Sequence, residues 1–264
     1  MTKARRLHQI FAKDGKSLTL ALDGYYFSTN TNGIDTVIKQ MPQLIENGLD
    51  AVLVTYGLAK RYSEWFHDVG LVVRADISTS VYDSSVPNTA SLLTVEDALR
   101  LGADGIIAMT FPGAHNEADT HQAAWALAKD ADQWNLPFIC ESLPNGYAVT
   151  DKDSNDPYVI ASAARIAVEL GADIVKTRYS GGVDDGVIAE QAQVPVLALG
   201  GPKTKDVKAY LSFVKHCMDN GAKGVAVGRN IIQSENPAGL VAALNCLIHE
   251  DGEIDYAYQL YRNH

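Results

Sequence analysis

Lys176 is the residue most at odds with its neighbours, a charge interrupting the apolar run Ile174-Val175-Lys176-Thr177. A lysine in a central strand cannot stretch along an apolar surface to water as it does on a helix, and an unpaired ammonium is costly to bury. One use for such a residue is a structural ion pair. The other is a nucleophilic amine, because burial disfavours the charged form. Moving a lysine from about 10.4 to near 7 takes roughly 4 to 5 kcal/mol at about 1.36 per pH unit. A neutral amine attacks a carbonyl, and the protonated imine that results is an electron sink for C–C bond cleavage. Arg178, two positions on, is a nearby cation that would help supply the shift.

Strand alternation picks the companions of the lysine. Residues two apart share a face, so Lys176 pairs with Arg178, Ala21 with Asp23, and Ile139 with Glu141 and Leu143. If Lys176 points inward, Asp23 and Glu141 can join it, and a lysine with two carboxylates can form an imine and move protons. Either carboxylate taken alone reads equally as a cap or a turn residue.

Two further segments suit an anion. They are Leu199-Gly200-Gly201-Pro202-Lys203 and Val227-Gly228-Arg229-Asn230. Glycines let backbone N–H groups approach a phosphate, and Arg229 adds a charged donor. A tight Gly-Gly turn and a surface ion pair would explain each half separately. Together, after the seventh and eighth strands of a barrel, Gly200, Gly201, Gly228 and Arg229 form the usual phosphate site.

The elements that must position these residues follow a simple alternation. Short apolar strands are expected at 17–23, 51–56, 71–76, 105–111, 137–143, 174–179, 194–199 and 224–228. Amphipathic helices are expected at 35–47, 58–68, 94–101, 119–134, 157–170, 184–192, 204–220 and 235–249. Eight strand–helix units in 264 residues predict a single-domain (β/α)8 TIM barrel spanning 1–264, with a short N-terminal helix and a polar C-terminal tail. An open doubly wound sheet would put its glycine-rich turn after the first strand. Helix-to-strand turns are short and repeat a pattern, as in Leu101-Gly102-Ala103-Asp104 and Leu170-Gly171-Ala172-Asp173. The strand-to-helix segments 24–34, 77–93, 112–118 and 144–156 are long, which puts the site at the C-terminal ends of the strands.

Composition narrows the partners. A net charge of −10 repels phosphate backbones and anionic lipid, so neither nucleic acid nor membrane is an expected partner. Neither a secretory signal nor an 18-residue apolar run is apparent, and the cytoplasm is the expected compartment. Cys140, Cys217 and Cys246 are isolated in apolar runs and read as buried thiols. The seven histidines form no HxH or HxxxH pair, so no metal site and no cofactor is expected.

The chain resembles the DeoC/FbaB/LacD-type class I aldolases over most of its length. The marks are Ala21-Leu22-Asp23-Gly24, Asp50 to Thr55, Val175-Lys176-Thr177, Leu199 to Lys203, and Gly224 to Ile231. The resemblance implies a lyase in which Lys176 is the Schiff-base residue and Asp23 a catalytic or hydroxyl-binding carboxylate. It also implies a phosphorylated keto-sugar as substrate, held at Gly200, Gly201, Gly228 and Arg229, and a homo-oligomer such as a decamer. Archaeal-type fructose-bisphosphate aldolases carry an acid–base tyrosine where this chain has Leu143, before Pro144-Asn145-Gly146. The segment Leu136 to Glu141 is more similar to tagatose-bisphosphate and sulfofructose-phosphate aldolases, in which a glutamate serves near the lysine. Glu141 is therefore the expected acid–base group, with Tyr147 as second choice. Ser78, Thr79, Ser80 and Asn145 could bind hydroxyls, although polar loops offer such groups routinely. Rival readings are a Schiff-base acyl transferase, thiolase or transaldol-type enzyme, and a non-catalytic sugar-phosphate-binding barrel.

Overall fold

The computed structural model describes residues 1–78, 89–146 and 153–264. Eight parallel strands close into a barrel: β1 Ser17–Ala21, β2 Ala51–Val54, β3 Gly70–Arg74, β4 Gly105–Thr110, β5 Phe138–Ser142, β6 Ile174–Thr177, β7 Val196–Leu199 and β8 Gly224–Val227. Each strand pairs with its neighbours in chain order, and β8 closes on β1 with Ser17 opposite Gly224. The eight expected strands are thus all present, each shorter than expected, and β3 begins one residue earlier, at Gly70.

Alternation sorts each strand into two faces. Leu18, Val52, Val73, Ile106, Phe138, Val175, Val196 and Val225 pack outward under the helices in the main apolar core. Ala21, Ala51, Leu53, Val72, Ile107, Ile139, Ile174 and Leu197 meet inside the barrel, with Ile10 and Phe11 packed on them. Ile10 ends the N-terminal helix Lys3–Ile10 and Phe11 follows it, so that the helix covers the end of the barrel opposite the long loops. Arg6 donates to the carbonyl of Ala103 and Lys3 to Asp173, fastening the helix there.

The repeated helix-to-strand turns have a common construction. Gly48, Gly102, Gly171 and Gly221 all take positive φ, from 80° to 97°, where glycine carries no Cβ penalty. The aspartate that follows caps a neighbouring strand: Asp50 accepts from the N–H of Leu18, Asp104 from Leu71 and Asp173 from Phe138. These carboxylates satisfy strand N–H groups that have no partner at the end of the sheet.

Some elements differ from expectation. The region 35–47 forms two helices, Ile34–Ile38 and Met41–Glu46, because Pro42 lacks an N–H and its ring crowds the carbonyl four residues earlier. The helix expected from 58 starts earlier, at Tyr56, where Thr55 caps it, and stops at Arg61 before a 3-10 turn at Ser63–Trp65. The loop 77–93 contains part of a small antiparallel ribbon, Asp76–Ser78 against Thr89–Ser91. The tail is not irregular: Ile254–Asn263 is a helix packed beside Pro237–His249.

Candidate active site

The first polar layer above the apolar barrel interior is built from the strand ends. Lys176 lies two residues beyond Ile174, Glu141 two beyond Ile139, Arg74 two beyond Val72, and Asp23 two beyond Ala21. All four are buried, and strand pairing sets Glu141 directly opposite Lys176. Nζ of Lys176 donates to Glu141 Oε1 at 2.7 Å.

Arg74 is the hub of the layer. Its side chain has no exposed surface, and each guanidinium nitrogen serves a different carboxylate. Nε donates to Asp23 at 2.6 Å, one terminal nitrogen to Asp76 at 3.0 Å, and the other to Glu141 Oε2. The Phe27 ring lies 5.0 Å from the guanidinium carbon, covering one face. Asp76 is itself held by Thr89 Oγ1 at 2.6 Å and the Met109 N–H at 2.9 Å. Formally the cluster sets three carboxylates against two cations.

Charge follows from this geometry. Burial by itself would raise the pKa of Glu141, but the charges and hydrogen bonds of Lys176 and Arg74 outweigh it and hold the carboxyl at about 2. Burial likewise works against the Arg74 cation, yet Asp23, Glu141 and Asp76 keep its pKa well above the ordinary arginine value.

A cavity of about 830 Å³ opens over this layer, and Asp23, Glu141, Lys176, Arg178, Gly200, Gly201, Gly228 and Arg229 all line it. At one side β7 and β8 end in the glycine-rich segments. A Cβ on Gly200 would lie 2.8 Å from Val227 Cα and 2.9 Å from the Ala226 carbonyl, so only glycine fits there. Asn230 is buried and ties the two segments together. Its amide nitrogen donates to the carbonyls of Gly200 and Pro202 at 2.9 and 3.0 Å, and its oxygen accepts from the Thr204 N–H at 2.9 Å. Arg229 is exposed at the rim, 3.5 Å from the Gly201 carbonyl.

Arg178 is on the expected face, but its guanidinium is turned to the loop after β5. It donates to the carbonyls of Pro144 and Gly146, and to that of Ser154 at 3.0 Å. Among the described residues the arginine on the lysine–glutamate pair is Arg74, which sequence reasoning passed over. The signal was available, because Arg74 interrupts an apolar strand just as Lys176 does. Asp76 and Asn230 were missed too. Leu143 is buried and lines the cavity with Met109 and Phe27. Tyr147, Thr79 and Ser80, as well as the side chain of Ser78, lie outside the described residues.

A buried amine hydrogen-bonded to a carboxylate at the mouth of a closed (β/α)8 barrel, beside glycine-rich loops after β7 and β8, is the layout of an enzyme working through a lysine imine. Residues 10–234 match the DeoC/LacD family aldolases, and the chain belongs to that family. It is 32% identical over 248 residues to a class 1 fructose-bisphosphate aldolase of Thermoproteus tenax, covering 91% of this chain and 92% of that protein. It is 35% identical over 215 residues to the 2-amino-4,5-dihydroxy-6-oxo-7-(phosphonooxy)heptanoate synthase of Streptomyces griseus, covering 80% of this chain and 76% of the synthase. Among solved structures it resembles an archaeal fructose-1,6-bisphosphate aldolase whose catalytic lysine carries the carbinolamine intermediate of the substrate. That likeness has a TM-score of 0.83 at 31% identity, over 94% of this chain and 99% of the other.

Proposed function

We propose that this class I aldolase breaks or forms a C–C bond in a phosphorylated keto-sugar through an imine on Lys176. The observation that carries the reading is the buried Lys176 amine, 2.7 Å from Glu141 and open to the cavity. The amine adds to the substrate carbonyl carbon, the carbonyl oxygen takes up protons and leaves as water, and an iminium remains. In the cleavage direction a base removes the proton of the hydroxyl on the carbon β to the imine carbon. The bond between the α and β carbons breaks, its electron pair enters the iminium to give an enamine, and an aldehyde departs. Protonation of the enamine and return of water free the lysine.

Glu141 is the group within reach of the nitrogen for these proton transfers, and Asp23, held by Arg74, faces the substrate hydroxyls. Gly200, Gly201, Gly228 and Arg229 form the phosphate cradle, in keeping with the phosphorylated compounds named for the relatives. Arg178 lines the cavity and contributes to substrate binding by holding Pro144, Gly146 and Ser154, next to the wall residues Leu143 and Asn155. Exposed Trp125, Trp134 and Tyr158 support a homo-oligomer, and sugar-phosphate chemistry suits the cytoplasm. Light scattering of the purified protein checks the first point, and a single-subunit mass would contradict it.

Lys176→Met keeps an unbranched side chain only one atom shorter and removes the nucleophile. Turnover of ketose phosphates is expected to vanish while the circular dichroism spectrum stays native. Retention of even a tenth of the wild-type rate by a folded Lys176→Met protein would overturn the assignment.

A further inference from the structure

We propose that Arg74 is a positioning residue for the reaction, fixing Glu141 and Asp23 about the Lys176 amine and remaining charged when the lysine is neutral. The inference rests on the imine reading above and adds a residue that the family resemblance did not supply.

The argument begins with what the lysine must do. To attack, Lys176 gives up its proton, and until the iminium forms its nitrogen supplies no full charge beside Glu141. The groups around Glu141 can be named strand by strand. From β6 come Lys176 and, one step higher, Arg178, whose guanidinium is on loop carbonyls. From the end of β3 come Arg74 and Asp76. The turn after β1 brings Asp23 and, on the far side beside Arg74 and Asp76, Tyr26; β4 contributes the uncharged Met109, paired with Glu141. Cys140, the neighbour of Glu141 on its own strand, packs outward in the main apolar core. Arg74 is thus the cation among these described residues that stays hydrogen-bonded to Glu141 throughout the cycle. Guanidinium does not deprotonate in proteins, and its rigid fork can address several acceptors at once.

Geometry separates the two tasks. Three nitrogens go to three carboxylates from three chain segments, so orientation depends on the fork and charge depends on any cation. Lysine at this position preserves the charge but, with a single nitrogen, cannot span Asp23, Asp76 and Glu141. Glutamine combined with Asp76→Asn removes one cation and one carboxylate, so the formal charge of the cluster is unchanged while Glu141 loses its permanent partner.

The experiment compares wild type, Arg74→Lys and Arg74→Gln/Asp76→Asn in three readouts. These are the pH profile of kcat/KM on a ketose phosphate, the split between kcat and KM, and imine trapping by borohydride. Arg74→Lys is expected to trap imine and keep KM within about threefold, because it lies off the phosphate cradle, while kcat falls by about 10²-fold through misplaced proton transfer. Its acidic limb stays in place. In Arg74→Gln/Asp76→Asn the acidic limb moves to higher pH by about one unit, since a carboxyl that loses a neighbouring cation binds its proton more tightly.

A wild-type kcat in Arg74→Lys would overturn the proposal, as would equal losses of trapping and turnover in it. So would an unmoved limb in a folded Arg74→Gln/Asp76→Asn protein. Should the double variant fail to fold, the kcat and trapping result of Arg74→Lys decides alone. Absence of a borohydride adduct in wild type would instead sink the imine reading itself, so the two failures are distinct.

Discussion

Glu141→Gln removes one charge from the site and almost no volume. In the native protein the carboxyl is held at about 2 rather than 4.5, which at about 1.36 kcal/mol per pH unit is on the order of 3 kcal/mol of preference for the ionised form. That preference is the net of a burial penalty and the two cations, so the variant leaves Lys176 and Arg74 facing only Asp23 and Asp76. Breaking one side of a buried ion pair costs about 3 to 5 kcal/mol. The amide oxygen can accept from one of the two cations, but its NH2 then faces the other cation donor to donor, which puts the expected stability loss at the upper end. The group's folded pKa is depressed, so its contribution is present above its unfolded pKa and lost as pH falls from about 4.5 towards 2. Denaturant midpoints followed from neutral to acid pH should therefore converge for wild type and variant. Activity should suffer more than stability, because an amide cannot carry a proton: kcat is expected to drop by about 10² to 10⁴, with imine trapping slowed but still detectable. A Glu141→Gln protein with kcat within about tenfold of wild type, assayed at neutral pH where both are folded, would refute the acid–base role.

Arg229→Ala should raise KM for a phosphorylated substrate by about tenfold, the low end for a charge-assisted hydrogen bond because the residue is exposed; equal KM would remove it from the phosphate cradle. Asn230→Ala deletes three hydrogen bonds joining the ends of β7 and β8, and at about 1 kcal/mol each should lower unfolding free energy by about 3 kcal/mol in urea titrations. His249 lies 3.0 Å from both Asp14 and Asp50; burial opposes its charge, but the two carboxylates prevail and raise its pKa. Stability from this cluster is thus complete below about 6.5 and lost as pH climbs through the raised value, so His249→Gln should flatten the fall of the urea midpoint as pH rises above about 6.5.

The parts of the fold that could be read in advance were those fixed by local rules. Period-two alternation correctly put Asp23, Glu141, Lys176 and Arg178 on the cavity side, because a strand has only two faces. The glycines of the helix-to-strand turns announced their positive φ through residue type. What escaped were relations between distant segments. Arg74 meets Asp23 across 51 positions and Glu141 across 67, and only barrel closure brings β3 opposite them. Arg178 illustrates the same limit, since alternation fixed its face but not the carbonyls of Pro144, Gly146 and Ser154 that its long side chain would find. Asn230 was quoted only as a neighbour of Arg229, although its side chain is what joins the two phosphate-side loops. The C-terminal helix was masked by its polar, tyrosine-rich sequence, since only one of its residues, Ala257, is fully buried.

Borohydride reduction in the presence of a ketose phosphate, followed by peptide mass mapping, tests the central claim most directly. The account requires one substrate-sized increment per chain, on the peptide containing Lys176, and none in Lys176→Met. An active enzyme that yields no adduct, or one whose adduct sits on another lysine, would contradict it.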